Sequence, residues 1–345
     1  MANSISVDEI KKIDQSNTLD VLLSFPDMVR KAYDLPRPQL RVPKPENILV
    51  IGMGGSAIGG DLLSAWMLEK KGPQVLVNRD YDIPSYIGPK TLVFAVSYSG
   101  NTEETLSAYE QARKRGCTIV TVSSGGKLAE MGDKKTHIAL PKGLQPRAAV
   151  AYMLMPVLGV LQDMGVMSSK GEVDEAVEML KGLMRDIGPG TQPPANPAMS
   201  LAFDFKDTFP MIFCGPFLAP VAKRWRTQLN ENAKVLARED VLPELDHNDL
   251  VAWAEDPMAA RCTVVLLRDS LEHPRVAKRM GLTRKLGWDR AKVVREVHTK
   301  GKGALARLLT ALVVGDFASF YLAMLRGADP TPVQVIERLK KELAG

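Results

Sequence analysis

The chain has 345 residues, of which 45 are basic and 40 acidic, so its formal net charge is +5. Hydrophobic residues make up 45% and charged residues 25%, proportions typical of a folded globular protein rather than a disordered chain. At roughly 150 residues per domain, the length predicts two domains. The three cysteines are too few for a disulfide framework and indicate a reducing compartment.

No membrane span or targeting segment is predicted. The uncharged run at residues 148–162 contains a proline and is shorter than the roughly 20 residues that cross a bilayer. The N-terminus is polar and carries acidic residues, unlike a signal or transit peptide. We therefore expect a cytoplasmic protein that does not bind a membrane.

The first half of the chain alternates apolar strands with helical segments. Strands are predicted at 46–52, 74–78, 91–96, 118–122 and 136–140, and helices at 57–70, 102–115, 147–164 and 172–185. Strands separated by helices of this length are typical of a parallel, doubly wound sheet.

A segment rich in glycine and proline at 188–197 cannot continue a helix and predicts a domain boundary. The alternation then resumes, with strands predicted at 210–215, 250–253, 262–267 and 291–295, and helices at 220–233, 305–325 and 331–343. We predict two tandem doubly wound α/β domains, each an α-β-α sandwich around a parallel sheet. The first domain covers 1–165, a helical connection and linker 166–198, and the second domain 199–345.

A glycine-rich segment at 52–60, the glycine loop, separates the first predicted strand from its helix. Gly54 and Gly55 allow close approach to the backbone, the helix N-terminus offers N–H groups, and Ser56 adds a hydroxyl, as in an anion site. The loop lacks the lysine of a Walker A motif, but Gly52, Gly54 and Ala57 match the dinucleotide pattern G-x-G-x-x-G/A. An anion site, a dinucleotide site and a ligand-free turn all remain open at this point.

A second polar segment at 97–102, the serine loop, follows the third predicted strand. Ser97, Ser99 and Thr102 supply three hydroxyl groups at the sheet edge where ligands of α/β proteins bind. These hydroxyls suit a phosphate monoester of a small metabolite, which a dinucleotide site would not require. The alternative is that Thr102 only caps the following helix.

The two loops together resemble the sugar isomerase (SIS) domain, through Gly54-Gly-Ser56 and Ser97-Tyr-Ser-Gly-Asn-Thr102-Glu-Glu-Thr. This resemblance implies a phosphosugar ligand and a five-stranded, flavodoxin-like parallel sheet. The segments QPR at 145–147, QLNENAK at 228–234 and PELDHN at 243–248 resemble the bifunctional phosphoglucose/phosphomannose isomerases, best known from archaea and some bacteria. That resemblance spans nearly the whole chain and includes tandem SIS domains.

The second resemblance implies an aldose–ketose isomerase. Such an enzyme interconverts glucose 6-phosphate, and mannose 6-phosphate, with fructose 6-phosphate through a cis-enediol intermediate. Glu231 is the candidate base that moves a proton between C2 and C1. His247 can shuttle the ring-oxygen proton, and Arg147 can stabilise the enediolate. The family resemblance assigns the same roles to these three residues.

The C-terminal helix supplies a further lysine in this family. We choose Lys340 over Lys341 for ring opening or substrate contact because it lies beside the predicted apolar stripe, with Thr331 at the predicted N-cap as a second candidate. The stripe consists of Val333, Ile336, Leu339 and Leu343.

The resemblance also implies a homodimer, because in related isomerases the histidine comes from the neighbouring subunit. The expected partner is otherwise a small sugar phosphate, without nucleic acid, because the basic clusters are interpreted as solvated helix faces. No spacing of His, Cys or acidic residues resembles a metal site, so we expect metal-independent proton transfer without a cofactor.

Other functions remain open from the sequence. SIS domains also occur in non-catalytic phosphosugar regulators, although these usually carry a helix-turn-helix segment that is not evident here. An aminosugar isomerase half of an amidotransferase would need an N-terminal cysteine nucleophile, which the chain lacks. The hypothesis of an NAD-dependent dehydrogenase rests only on the dinucleotide pattern in the glycine loop. The sequence does not rank glucose against mannose substrates.

Overall fold

The structure, a computed structural model, describes residues 4–344 and divides them into two compact units. The first unit comprises Ser24–Lys181 and Lys300–Leu309. The second unit comprises Gly182–Thr299 together with the described residues up to Leu23 and from Thr310 onward. The compact units therefore do not follow the linear order of the chain.

The first sheet has five parallel strands in the order β2-β1-β3-β4-β5. All six residues of β3 are buried, as expected of a strand covered by helices on both faces. A 3-10 turn, Pro146–Ala149, follows β5. The elements up to residue 187 are α1 (Val7–Ile13), α2 (Thr18–Leu23), α3 (Phe25–Tyr33), β1 (Asn47–Ile51), α4 (Gly54–Met67), β2 (Gln74–Asn78), β3 (Thr91–Val96), α5 (Glu103–Lys114), β4 (Thr118–Ser123), α6 (Gly126–Met131), β5 (His137–Ala139), α7 (Val150–Asp163) and α8 (Lys170–Ile187).

The second sheet has four parallel strands in the order β7-β6-β8-β9. Its elements and the helices that follow are α9 (Pro197–Phe205), β6 (Phe209–Cys214), α10 (Ala219–Glu231), β7 (Arg238–Val241), α11 (Asp249–Glu255), β8 (Cys262–Arg268), α12 (Pro274–Leu286), β9 (Val293–His298), α13 (Ala304–Leu325) and α14 (Gln334–Ala344). The prediction of two doubly wound α/β folds with parallel sheets is confirmed.

In each sheet the strand order reverses beside the first strand, between β1 and β3 and between β6 and β8. Right-handed connections then place helices on opposite faces of the sheet. In the second unit Met211 and Phe213 face α12, where they pack with Val264 and Met280. Helix α10 covers the other face, toward which Ile212 points because strand side chains alternate.

One predicted strand is wrong. Residues 250–253 belong to helix α11, and the strand of this region is β7, which the sequence did not reveal. A short apolar run such as Leu-Val-Ala-Trp cannot be assigned to strand or helix by periodicity alone. The sequence of β7 is Arg-Glu-Asp-Val, and all four residues are half-buried at the sheet edge, so the strand lacks an apolar pattern.

Helix α13 is long and apolar enough to cross a membrane by length and composition, but 94% of its apolar window is buried inside the protein. It therefore has the burial of a core helix. Gly315 lies midway along it, where a Cβ would overlap the indole ring of Trp225 from α10. The indole N–H donates to the carbonyl of Ala311 over 2.9 Å. Glycine thus allows the two helices to pack with the ring between them.

We expect Gly315→Ala to lower the free energy of unfolding by about 1–3 kcal/mol, because the added methyl overpacks a rigid ring. Gly281 of α12 is the matched control, since it lies in a helix and a Cβ there meets nothing within 4 Å. Gly281→Ala should raise the stability by about 0.5–1 kcal/mol. Urea unfolding followed by circular dichroism measures both, and equal effects would contradict the packing argument.

Candidate active site

The glycine loop and the serine loop are immediate neighbours at the carboxyl ends of β1 and β3. A Cβ placed on Gly52 would lie 3.0 Å from the carbonyl oxygen of Val96, the last residue of β3. The same Cβ would lie 3.1 Å from the Cβ of Ser56. The reversal of strand order creates a crevice at this point, where open α/β sheets bind ligands.

Helix α4 begins at Gly54, three residues earlier than the sequence predicted, and Gly54 has a φ of +51°. A Cβ on Gly55 would lie 3.1 Å from the carbonyl oxygen of Pro146 and 3.3 Å from the Cα of Arg147. Gly55 therefore lets the segment that carries Arg147 lie against the first turn of α4. The Arg147 side chain is buried, although it lies 92 residues after Gly55 in the chain.

Ser56 is buried, and its hydroxyl donates to the thioether sulfur of Met153 over 2.9 Å. A thioether is a weak acceptor, so an anion at the helix N-terminus would compete well for this donor.

The hydroxyls of the serine loop form a connected set. The Oγ of Ser97 lies 2.9 Å from the Oγ1 of Thr102 and accepts the Gly100 N–H over 3.1 Å. Thr102 occupies the N-cap position of α5, but its side chain makes no capping hydrogen bond. The alternative that Thr102 serves only as a cap is therefore not supported. Ser99 is exposed at the rim, and its hydroxyl accepts the Asn101 N–H.

The loop after β4 packs against the serine loop and is hydrogen-bonded to it. Gly100 has a φ of +71°, and a Cβ there would overlap the carbonyl oxygen of Gly125. The carbonyl of Gly100 accepts the Leu128 N–H over 2.9 Å, and Asn101 Oδ1 accepts the Lys127 N–H over 3.0 Å. The serine loop thus caps the first turn of helix α6.

Tyr98 is a residue that the sequence analysis did not select. Its hydroxyl donates to the carbonyl of Pro141 over 2.7 Å and accepts the Leu144 N–H over 2.9 Å. Its own carbonyl accepts two bonds from Ser124, through the N–H and the hydroxyl. The sequence signal that could have pointed to Tyr98 is its place as an aromatic residue between two serines of the serine loop.

Glu231 is the last residue of α10 in the second unit and is half-buried. The neighbouring asparagines fix this helix end. The amide of Asn230 donates to the carbonyl of Val235 over 2.8 Å, and that of Asn232 to the hydroxyl of Ser319 over 3.0 Å. The position of Glu231 is therefore set by bonds on both sides of it.

Seven residues before Glu231, a buried ion pair joins α10 to α13. Arg224 donates from Nε and Nη2 to Asp316 over 2.9 and 2.8 Å, and both side chains are at most 3% exposed. Burial raises the pKa of Asp316, while Arg224 and a hydrogen bond from Gln228 oppose that shift. This pair was not predicted from the sequence, in which its signal is a single aspartate within a long apolar helix.

His247 ends the 3-10 turn Glu244–His247 and is exposed. Leu245 anchors the turn in the cluster on the α12 face, and Asp246 accepts from Arg279 and from the Thr283 hydroxyl over 3.0 and 2.7 Å. Helix α10 lies on the opposite face of the second sheet. The structure therefore does not bring His247 to Glu231 within that unit.

Lys340 and Lys341 are both exposed on α14. The predicted apolar stripe of this helix is also exposed, with Ile336, Leu339 and Leu343 at 41%, 57% and 67%. Helix α14 begins at Gln334, so Thr331 is not its N-cap. The Thr331 hydroxyl lies 3.1 Å from that of Thr18 instead.

Within residues 4–344, no three His, Cys, Asp or Glu side chains are grouped as ligands for a metal ion. One cavity lies away from the predicted residues. It is lined by residues 42–46 and 89–92 with Thr118, at the amino ends of the first sheet's strands. We assign the site to the opposite edge because the hydroxyls and the helix N-termini lie there.

Two family models match the chain, the SIS domain at residues 42–154 and the bacterial phospho-glucose isomerase C-terminal SIS domain at residues 194–343. A bifunctional phosphoglucose/phosphomannose isomerase of Caldicellulosiruptor bescii is 37% identical over 330 residues, which is 93% of this chain and 97% of the relative. One from Thermoplasma volcanium is 37% identical over 325 residues, which is 94% and 98% of the two chains.

Among solved structures, a glucose-6-phosphate isomerase like protein from Thermus thermophilus is similar, with a TM-score of 0.65 and 20% identity. The similarity covers 97% of each chain. At this identity the likeness concerns the fold alone.

Proposed function

Because the chain belongs to the family of bifunctional phosphoglucose/phosphomannose isomerases, we propose that it interconverts glucose 6-phosphate and mannose 6-phosphate with fructose 6-phosphate. The observation that carries the proposal is the pair of loops at the β1/β3 edge. They bring paired hydroxyls, the N-termini of two helices and a buried arginine to one crevice. A phosphate monoester is the ligand class that suits this set.

In this proposal the serine loop binds the phosphoryl group. Ser97 and Thr102 turn their hydroxyls to phosphate oxygens, and the first-turn N–H groups of α5 add further donors. Gly54, Gly55 and Ser56 bind from the neighbouring helix, and Ser99 closes the rim. Lys340 and Thr331 remain proposed substrate contacts of the second unit.

We expect Ser97→Ala and Thr102→Ala each to weaken phosphosugar binding about 10- to 100-fold, since a hydrogen bond to a charged acceptor contributes roughly 1.5–3 kcal/mol. The double variant should lose less than the product of the single losses, because the two hydroxyls are hydrogen-bonded partners. Calorimetric titration with fructose 6-phosphate and with inorganic phosphate measures this.

Ser107→Ala is the matched control for these variants, since Ser107 lies on the same helix outside the loop. It should leave both affinities unchanged. Unchanged phosphate affinity in both loop variants would remove the serine loop from the phosphate site.

The proposed chemistry is a proton transfer through a cis-enediol. After the sugar ring opens with the help of His247, Glu231 takes the proton from C2 and returns it to C1. Arg147 stabilises the negative charge of the enediolate. A carboxylate at a fixed helix end suits this task because its position changes little between the two transfers.

Glu231→Gln should reduce isomerisation by about 10²- to 10⁴-fold while phosphosugar binding persists, because the amide keeps the shape but cannot accept the proton. Coupled assays that detect glucose 6-phosphate and mannose 6-phosphate separately measure the loss. Glu255→Gln is the control, because Glu255 is also the last residue of a helix and is exposed. Near-normal turnover of Glu231→Gln would exclude Glu231 as the base.

We further propose that the enzyme is a homodimer in which each subunit lends His247 to the other's site. Glu231 ends α10 on one face of the second sheet, whereas the turn that carries the exposed His247 is anchored by Leu245 on the other face. The exposed apolar stripe of α14 supports burial against a second copy.

The three cysteines are free and support a cytoplasmic location.

Complementation between two inactive variants tests this arrangement. When Glu231→Gln and His247→Gln chains are mixed in equal amounts, each heterodimer regains one intact site if His247 acts across the interface. About one quarter of wild-type activity should return, because half of the dimers are mixed and each has one working site of two. A mixture no more active than its components would place His247 in its own subunit's site.

A further inference from the structure

The segment at 141–147 connects β5 to Arg147 and contains no helix or strand before its 3-10 turn. Two attachments hold it within the first unit. At its start, the Tyr98 hydroxyl bonds both the carbonyl of Pro141 and the N–H of Leu144. At its end, Pro146 and Arg147 lie against Gly55. A loop fixed at both ends leaves its last residue little freedom.

Tyr98 links this segment directly to the serine loop, because it lies between Ser97 and Ser99. The residue is 6% exposed, and its two hydrogen bonds are partly buried. Loss of the hydroxyl would leave a carbonyl and an N–H of the segment without their partner, and Leu144 lies three residues before Arg147. The structure thus connects the phosphate loop to the arginine segment through one phenol.

We propose that Tyr98 is a positioning residue that sets the place of Arg147 in the isomerisation. The inference rests on the proposed function, in which Arg147 stabilises the enediolate. Tyr98 itself touches neither the phosphate nor the sugar. Its effect therefore appears in the rate of the chemical step and not in phosphate binding.

Tyr98→Phe tests this with a matched control. Tyr109→Phe removes a hydroxyl from another buried tyrosine of the same unit, since Tyr109 is 4% exposed and its hydroxyl donates to the carbonyl of Met131 over 2.9 Å. We expect Tyr98→Phe to lower kcat about 10-fold, with KM and inorganic phosphate affinity unchanged, because small misplacements of a reacting group slow catalysis strongly. Tyr109→Phe should leave kcat unchanged. Retained phosphate binding shows that the Tyr98 variant is folded.

A double-mutant cycle with Arg147→Gln separates positioning from general damage. If Tyr98 acts through Arg147, Tyr98→Phe should change kcat little once Arg147 is replaced. Independent effects in the cycle, or equal kcat losses in the two Tyr→Phe variants, would overturn the inference while leaving the isomerase function intact. A parallel loss of phosphate affinity in Tyr98→Phe would overturn it as well. Wild-type protein without isomerase activity would instead overturn the proposed function, and this inference with it.

Discussion

Parallel pairing of β1 with β3 is the constraint on which the proposed phosphate site depends. In the first sheet these two strands are neighbours, although β2 lies between them in the chain. Their carboxyl ends meet where the strand order reverses, so two loops 37 residues apart, from Gly60 to Ser97, face one crevice. Neither loop alone supplies the whole proposed phosphate site: the glycine loop contributes a helix N-terminus, and the serine loop contributes the hydroxyls.

The glycines of the first loop act largely through packing. Gly55 and Gly59 allow α4 to approach the 146–163 region, since a Cβ on either would lie within 3.3 Å of its backbone. Gly60 fits against the side chain of Val50 in β1. These three glycines lie outside the dinucleotide pattern of Gly52, Gly54 and Ala57, in which a Cβ on Gly52 would approach the carbonyl of Val96 and one on Gly54 would meet nothing within 4 Å. The approach of α4 also brings Arg147 to the loop, and this long-range contact leaves no local signal.

The sequence predicted the elements and the loops of the first unit well, because buried parallel strands appear as continuous apolar runs. It failed at β7, whose charged edge residues lack that pattern, and at α11, whose short apolar run fits either structure. The pairing of Ser97 with Thr102 and the bonds of Tyr98 depend on tertiary geometry and could not be predicted. Glu231 was predicted as the base from the family resemblance. Ligands of open α/β sheets bind at the carboxyl ends of the strands, and Glu231 lies instead at the end of a helix that returns along the sheet.

The proposed catalytic groups of the second unit differ in how firmly one chain holds them. Glu231 ends a helix fastened to α13 by a buried ion pair, and removing one partner of such a pair strongly destabilises a protein because a charge is left buried. His247 and Lys340 are exposed instead, on a short turn and on a helix with an exposed apolar stripe. A proton acceptor must keep one position through two transfers, whereas a ring-opening group acts earlier and can be supplied by another subunit. The division between held and exposed residues agrees with the proposal that a second subunit completes the site.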